Sequence, residues 1–211
     1  MINIVTPLSR IENLETLYEN FINSISNKNI EKINWIIVGD YNLYNAENYK
    51  KIKESDICID SILIHFWWSD YKNAFVGHAH RNFFLKEIKT KSAFKKENNY
   101  VYFLDDDTIL HPEFLENVIP ILENEAPEIL IFGQNNKDNS VRLLPSYENI
   151  KVGHIDMGQY IFKTNTLPNH IRFKEDNYCA DGIFIEELFK HHGPEKTKIL
   201  NKQLSFYNFL R

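Results

Sequence analysis

The stretch Val101-Tyr102-Phe103-Leu104-Asp105-Asp106-Asp107 constrains this chain more than any other part of it. Its first four residues have the composition of a buried strand, and they run directly into three carboxylates that a core cannot hold unpaired. The strand therefore ends at a site. Side chains alternate along an extended chain, which predicts Asp105 and Asp107 on one side and Asp106 on the other. Two carboxylates together at a strand end repel each other unless a cation lies between them. An all-oxygen environment suits Mg²⁺ or Mn²⁺, with phosphate completing the shell. The motif points to a divalent ion holding a diphosphate; the plain alternative is an acidic turn linking a strand to a helix.

The residues that follow predict such a helix. Pro112 fits its first position, Glu113 and Glu116 lie where the helix dipole favours negative charge, and Phe114, Leu115, Val118, Ile119 and Leu122 form one apolar stripe. A chain of 211 residues with 43% hydrophobic and 14% aromatic content can bury a proper core and is not disordered. It holds no repeat, linker or low-complexity segment. A net charge of −5 argues against a nucleic-acid surface, because phosphate contacts need clustered Lys and Arg. The lysines at residues 50–53 and 86–96 are interrupted by acids and read as solvated faces. Cys58 and Cys179 lack ligand-type spacing and read as reduced thiols. The start has no signal-peptide pattern and no stretch is long and apolar enough for a bilayer, so a cytoplasmic protein is expected. The apolar finish Phe206-Tyr207-Asn208-Phe209-Leu210-Arg211 suits one domain of a longer chain.

Taken in order, residues 2–6 read as a first strand and Thr6-Pro7-Leu8-Ser9-Arg10 as the turn leaving it. Leu14, Leu17, Tyr18, Phe21 and Ile25 then recur at helical spacing. The apolar run at residues 34–38 ending in Gly39-Asp40 has the pattern of a parallel strand buried on both faces. A β-α-β start predicts an α/β sheet with ligands outside the carboxyl ends of its strands. Asp40 either terminates a strand or accepts hydrogen bonds from a base or ribose. Neither a glycine-rich dinucleotide fingerprint nor a P-loop is present. Residues 57–66 predict a third strand interrupted by Asp60, and Trp67-Trp68-Ser69-Asp70-Tyr71 an aromatic loop. The stretch Gly77-His78-Ala79-His80-Arg81-Asn82 precedes a helix carrying Phe84, Leu85 and Ile88, with His78 and His80 on the surface. Arg81 either neutralises a diphosphate or makes an ordinary ion pair at a helix start. Residues 128–132 predict another strand and residues 133–140 a polar loop. Ile155-Asp156-Met157-Gly158 enters a further strand, with Gly158 permitting close backbone approach. Asp181 sits where a helix N-cap belongs, before the stripe Phe184, Ile185, Leu188 and Phe189, and His191-His192-Gly193-Pro194 closes that helix.

In this order the pieces resemble inverting glycosyltransferases of the GT-A fold, in two branches: the large family two and the animal β-1,3-glucuronosyltransferases. Ile4-Val5-Thr6-Pro7 with Leu14 and Leu17 looks like the opening strand and helix of that family. Trp35-Ile36-Ile37-Val38 with Asp40 looks like its second strand, Arg81-Asn82 like its basic pair, and Tyr102 to Asp107 like its metal motif. Ile155-Asp156-Met157-Gly158 is similar to the glucuronosyltransferase stretch lining donor and acceptor sugars. The resemblance implies an α/β fold, GT-A and Rossmann-like, with a mixed, mainly parallel sheet flanked by helices. It implies a single domain over residues 1–211, with residues 1–110 as a nucleotide-sugar half and 111–211 as an acceptor half.

The implied activity is metal-dependent transfer from a nucleoside diphosphate sugar, with UDP-sugar favoured, to a glycan or glycoconjugate hydroxyl. The implied outcome is inversion and the implied cofactor Mn²⁺ or Mg²⁺. Asp107 would be the principal metal ligand, with Asp105 beside it and Asp105 and Asp106 near the ribose. Thr6, Pro7, Leu8, Arg10 and Asp40 would hold the nucleotide, Arg81 would approach the diphosphate or base, and Asp156 and Gly158 would line the sugars. Asp181 occupies the position of the catalytic base, where the glucuronosyltransferases carry glutamate. Those enzymes also place a C-terminal histidine near the diphosphate; residues 204–207 have none, which leaves His191 or His192 to compensate. Three other readings use the same acids. An aspartate-nucleophile phosphatase wants Thr or Val where Ile109 stands, and a sugar nucleotidyltransferase wants a glycine-rich loop that residues 6–10 lack. The third is a nucleotide-sugar-binding module without turnover.

Overall fold

Alternation along the β-branched segments decides which side of a sheet each residue joins. The computed structural model describes residues 1–24, 32–40, 64–69, 77–90 and 99–211. Expectations for Ile25, Cys58, Asp60, Asp70, Tyr71, residues 50–53 and 91–96, and the side chains of Asp40, Trp67 and Trp68 lie outside what is described. The first four strands are β1 (Ile2–Leu8), β2 (Ile33–Asp40), β3 (Ile64–Ser69) and β4 (Tyr100–Phe103). Ile4, Trp35, Ile37 and Tyr102 face one side, where they pack with helices α1 (Leu14–Ser24) and α3 (Phe114–Asn124). Val5, Ile36, Val38, Val101 and Phe103 face the other, under α2 (His78–Thr90) and α4 (Ala180–His192). Each element thus buries the stripe its sequence periodicity sets out. A fully buried side chain of this kind stabilises by about 1.5–3 kcal/mol relative to exposure.

The remaining strands are β5 (Ile109–Leu110), β6 (Ile129–Asn135), β7 (Val141–Leu143), β8 (Tyr160–Lys163) and β9 (Thr197–Phe206). They form a single sheet in the order β3-β2-β1-β4-β8-β6-β9-β5, with β7 on β6. Pairs β3-β2, β2-β1, β1-β4 and β6-β9 are parallel, and β8 is antiparallel to both its neighbours. It follows that β1, β2, β3, β4, β6 and β9 all point one way and release their carboxyl ends at one edge. The antiparallel β8 begins at that same edge.

Several local expectations shift. The turn expected at Thr6-Pro7-Leu8 is instead the last part of β1, which pairs with β2 through Leu8↔Gly39. Pro7 is tolerated because Val5 O accepts Leu104 N on the β4 side at 2.9 Å, and Pro7 faces that same side where β4 has already ended. The missing N–H therefore costs no ladder bond. Residues 64–69, expected as strand end and aromatic loop, are all strand. Helix α2 begins at His78, so His78 and His80 lie inside it, buried rather than on the surface. Pro112 precedes α3 by two residues, and α3 buries the expected Phe114, Leu115, Val118, Ile119 and Leu122. Residues 133–135 continue β6, and the hairpin to β7 was not anticipated.

Gly158 permits the close approach expected of it. Its carbonyl accepts Ser205 Oγ at 2.6 Å and Tyr102 Oη at 3.2 Å, and a Cβ there would collide with the Gln134 amide. That amide is fully buried and held by Arg142 and by Ser205 Oγ, so it cannot swing away cheaply. Gly158→Ala should lower unfolding free energy by about 1–3 kcal/mol, the usual cost of overpacking, as read from urea midpoints. An unchanged midpoint would refute this packing argument.

Candidate active site

The shared edge carries a cleft of about 480 Å³, within the range of small-ligand sites. Its wall includes Pro7 and Leu8 at the end of β1, Ser9 and Arg10 after it, Asp105, Asp106 and Asp107 after β4, and Arg142 and Leu143 of β7. His78, His80 and Arg81 of α2, Ile155 and Asp156 before β8, Tyr178, Cys179 and Asp181 at the start of α4, and Tyr207, Asn208 and Arg211 after β9 also line it.

The triplet does not stay extended. Thr108 N donates to Asp105 O at 3.0 Å, closing a turn, so strict alternation fails and all three aspartates reach the cleft wall. Asp106 is 3% exposed and turns toward the end of β1. Its Oδ2 accepts Ser9 N at 2.6 Å, Ser9 Oγ at 2.7 Å and Arg10 N at 2.7 Å, and its Oδ1 pairs with the Arg10 guanidinium. Asn13 Nδ2 donates to Asp106 O at 2.8 Å. Charge-assisted bonds of this number lock the two turns together. Asp107 is 4% exposed, and its Oδ2 is held by Arg211 Nε at 2.6 Å and Arg10 Nη1 at 3.2 Å. The Leu210 N–H donates to Asp107 O at 3.1 Å. Residues 207–211 thus fold back over the triplet.

Asp105 pairs with Arg81, whose side chain is almost wholly buried. The Arg81 guanidinium lies 6.0 Å from the Phe103 ring centre and 5.7 Å from that of Phe173, and donates to His78 Nδ1 at 2.9 Å. Burial, with Arg81 beside it, lowers the His78 pKa to about 4, so the ring is neutral and accepts that bond. Burial works against the Arg81 charge, but Asp105 and Asp181 outweigh it and raise its pKa. Arg81 is a fixed cation between two acids. Although the Asp105 side chain opens onto the cleft, burial of the carboxyl, with Asp156 and Asp107 nearby, raises its pKa to about 6 against the pull of Arg81.

On the far wall, Asp156 caps the short helical turn Met157–Gln159 and pairs with Arg142 Nη1 at 3.1 Å. Arg142 also lies 3.5 Å from the centre of the Tyr207 ring, a stacked and well-fixed geometry. Asp181 is inside the first turn of α4 and not its N-cap, which is Cys179. Its pKa is raised by burial and then by Asp156. A carboxylate that binds its proton more readily than usual is suited to general-base work.

The structure gathers Pro7, Leu8, Arg10, Arg81, Asp105, Asp106, Asp107, Asp156 and Asp181 on one cleft. Thr6 and Gly158 lie behind its wall; Thr6 is fully buried and its hydroxyl accepts Trp35 Nε1 at 3.0 Å. Asp40 ends β2 at the same edge. His191 and His192 end α4, next to where β9 starts, at the opposite edge of the sheet, so they do not substitute for a C-terminal histidine. Arg211 is the C-terminal group that reaches the triplet. Sequence reasoning missed Ser9, Arg142, Tyr178, Tyr207 and Arg211. Of these, Ser9 lies between the expected Leu8 and Arg10 and Tyr178 three residues before Asp181, while the other three carry no local signal.

Among the described residues no group of three or more His, Cys, Asp or Glu side chains could hold a metal ion. A Mg²⁺-type site, however, takes only one or two carboxylates and fills the rest of its shell with phosphate and water. Asp106 is spent on Ser9 and Arg10, while Asp105 pairs with Arg81 through Oδ1 and Asp107 with Arg10 and Arg211 through Oδ2, which leaves the second oxygen of each outside these ion pairs on one turn of the cleft wall. Burial raises the Asp105 pKa, with Asp156 and Asp107 adding to it, so a cation at this carboxyl would favour its charged form. Among the described residues four arginines and five aspartates line the cleft, so a diphosphate would deepen the negative excess. A donor set of two carboxylates fits a cation that arrives with phosphate.

No family model matches the chain, and no curated protein matches it. Among solved structures it is similar to S. aureus TarS 1–349 in complex with UDP-GlcNAc, with TM-score 0.71 and 15% identity over 97% of this chain and 57% of that one. The complex of the same protein with UDP gives TM-score 0.70 and 14% identity, over 97% of this chain and 59% of that one. Mannosyltransferase PcManGT from Pyrobaculum calidifontis, in complex with GDP-Man and Mn²⁺, gives 0.62 and 11% over 95% of this chain and 56% of that one. The chain spans less than two thirds of each of these. At such identities the likeness is one of fold: a mixed α/β sheet flanked by helices. No helix among the described residues is long and apolar enough to cross a membrane.

Asp106→Ala should cost about 3 kcal/mol in chemical denaturation, because Ser9 N, Arg10 N and the Arg10 guanidinium lose a charged acceptor; a loss below 1 kcal/mol would contradict the lock described. The Asp105 carboxyl should titrate near pH 6 by carbon-detected NMR. An acid whose folded pKa exceeds its unfolded value of about 3.9 binds protons more tightly when folded, so this group opposes folding increasingly from about pH 4 through about pH 6. A midpoint near 4 would show the carboxyl to be well solvated.

Proposed function

We propose that the protein is a metal-dependent glycosyltransferase that moves a sugar from a nucleoside diphosphate sugar to an acceptor hydroxyl, with a UDP-sugar as the favoured donor. One observation carries this reading. The aspartate turn after β4 and Asp181 of α4 open onto one cleft at the carboxyl ends of the parallel strands, where α/β sheets bind ligands. The fold is that of a TarS structure in complex with UDP-GlcNAc and of a mannosyltransferase structure with GDP-Man and Mn²⁺, which supports the same donor class here.

In this reading residues 1–110 supply the nucleotide-sugar half and residues 111–211 the acceptor half. Pro7, Leu8 and Arg10, with Asp40 at the end of β2, receive the nucleoside. Thr6 acts from behind, holding Trp35. Asp106 fixes the Ser9–Arg10 backbone, and Gly158 lets the sugar-lining turn with Asp156 sit tightly on Gln134 and Ser205. Asp105 and Asp107 would hold Mn²⁺ or Mg²⁺, which when bound supplies Lewis-acid neutralisation of the departing diphosphate. Arg10 and Arg211 already contribute positive charge at that end of the cleft.

Asp181 takes the proton from the acceptor hydroxyl as its oxygen bonds to the anomeric carbon. The bond from that carbon to the diphosphate oxygen breaks, and its electron pair leaves with the diphosphate. Attack from the face opposite the leaving group inverts the anomeric centre. Arg81 holds Asp105 in place and lies close enough to Asp181 to favour its charged form, opposing the burial and the Asp156 charge that raise its pKa.

A panel of nucleoside diphosphate sugars tested by thermal shift with Mn²⁺ should show a stabilising donor. Asp107→Ala should abolish the metal-dependent part of that shift. Asp181→Asn should keep donor binding and lose transfer by at least about a hundredfold, the usual contribution of a positioned base. Retained metal-dependent binding in Asp107→Ala, or retained transfer in Asp181→Asn, would sink the assignment.

A further inference from the structure

The three guanidiniums that meet the aspartate turn are not held alike. The Arg81 side chain is 3% exposed and lies against the rings of Phe103 and Phe173. Arg10 belongs to the lock around Asp106, whose carboxylate also takes the backbone N–H groups of Ser9 and Arg10. The Arg211 side chain is 55% exposed and reaches the turn through Nε, 2.6 Å from Asp107 Oδ2. An exposed ion pair of this kind is weak, because water screens it and a long side chain gives up rotamer freedom to make it. Arg211 is therefore the guanidinium of the three that leaves the turn most readily.

Its backbone has no need to move. Tyr207 N donates to Asn135 O at 2.9 Å, Leu210 N to Asp107 O at 3.1 Å and Arg211 N to Asn208 O at 3.3 Å. Asn208, with φ +48°, takes the left-handed conformation that bends the chain back. Phe206 and Phe209 meet edge-on at 5.8 Å, Lys137 Nζ lies 5.3 Å from the Phe209 ring centre, and Phe209 and Leu210 pack against the hydrophobic core. A well-anchored hook thus presents one long side chain to Asp107.

The oxygen it reaches is shared. Arg10 Nη1 also lies 3.2 Å from Asp107 Oδ2, so a divalent ion drawn to this carboxylate meets two positive charges already on it. Like charges around one carboxylate compete. A diphosphate changes that balance, because its oxygens accept paired N–H donors from a guanidinium and so offer Arg211 a second anionic partner beside the first.

We propose that Arg211 is a stand-in cation at Asp107, which occupies Oδ2 in the free protein and transfers to the diphosphate when nucleotide and ion bind together. The proposal rests on the reading of Asp107 as a metal ligand. Arg211 then opposes the ion alone and favours the nucleotide that comes with it. By linkage each of the two ligands strengthens the other, and the cleft resists loading with an ion that brings no donor.

Two binding measurements on the whole protein test this. Mn²⁺ alone is followed by loss of the free-ion electron paramagnetic resonance signal, and UDP at saturating Mg²⁺ by calorimetry. Arg211→Ala should bind Mn²⁺ about twofold to fivefold more tightly than the wild type, the size of an exposed ion pair, and UDP about tenfold more weakly, the size of a charged hydrogen bond. Arg211→Lys keeps the charge and should reverse the gain for Mn²⁺. A merely structural loss would weaken both ligands, and a residue that only binds phosphate would leave Mn²⁺ unchanged. Either result, unchanged UDP affinity in Arg211→Ala, or a Mn²⁺ gain that persists in Arg211→Lys would overturn the proposal. Mn²⁺ binding that survives Asp107→Ala, or a wild type that binds neither Mn²⁺ nor UDP, would instead remove the metal-site reading beneath it, so the two failures give different results.

Discussion

Three adjacent carboxylates stand at the mouth of a hydrophobic sheet because each is met by a guanidinium. Arg81 reaches Asp105, Arg10 reaches Asp106, and Arg10 with Arg211 reaches Asp107. These cations come from three separated parts of the chain: the end of β1, the first turn of α2 and the segment after β9. Like-charge repulsion within the turn is therefore converted into a requirement that distant segments converge. Asp106 adds backbone N–H donors to this and makes the end of β1 and the end of β4 one rigid unit.

Behind that unit the aromatic packing is continuous. Phe103 meets Phe173 edge-on at 5.5 Å, and Phe173 stacks on Phe184 at 4.3 Å, which connects β4 to α4. Arg81 lies against Phe103 and Phe173, so its planar cation is confined by rings on the apolar side and by Asp105 on the cleft side. A lysine would lack both the flat face and the second donor that reaches His78. The position of Asp105 is thus set by packing as much as by charge.

Much of this was readable from residue order. The parallel start β1-α1-β2, the strand at Tyr100–Phe103 and the apolar stripe of α3 follow from periodicity alone, and they place the carboxyl ends of strands at one edge. The alternation rule failed where the chain stopped being extended, at the Asp105 turn, because nothing local announces the bond from Thr108 N to Asp105 O. His78 and His80 were misread because a polar residue in the first turn of a helix looks solvated until the loop that covers it is known. Arg142 and Arg211 carry no local signal: their roles arise from pairing with Asp156 and Asp107, residues 14 and 104 positions away. Contacts of that span belong to tertiary structure, which a single sequence does not display.

The reversed direction of β8 has an evolutionary consequence. Because β8 enters from the cleft edge, residues 136–159 form an excursion whose two ends are both anchored in the sheet, in β6 and β8. This excursion contributes Arg142, Leu143, Gly153, Ile155 and Asp156 to the cleft and none of the three-aspartate turn. Insertions there would reshape one wall of the cleft and leave the three-aspartate turn in place.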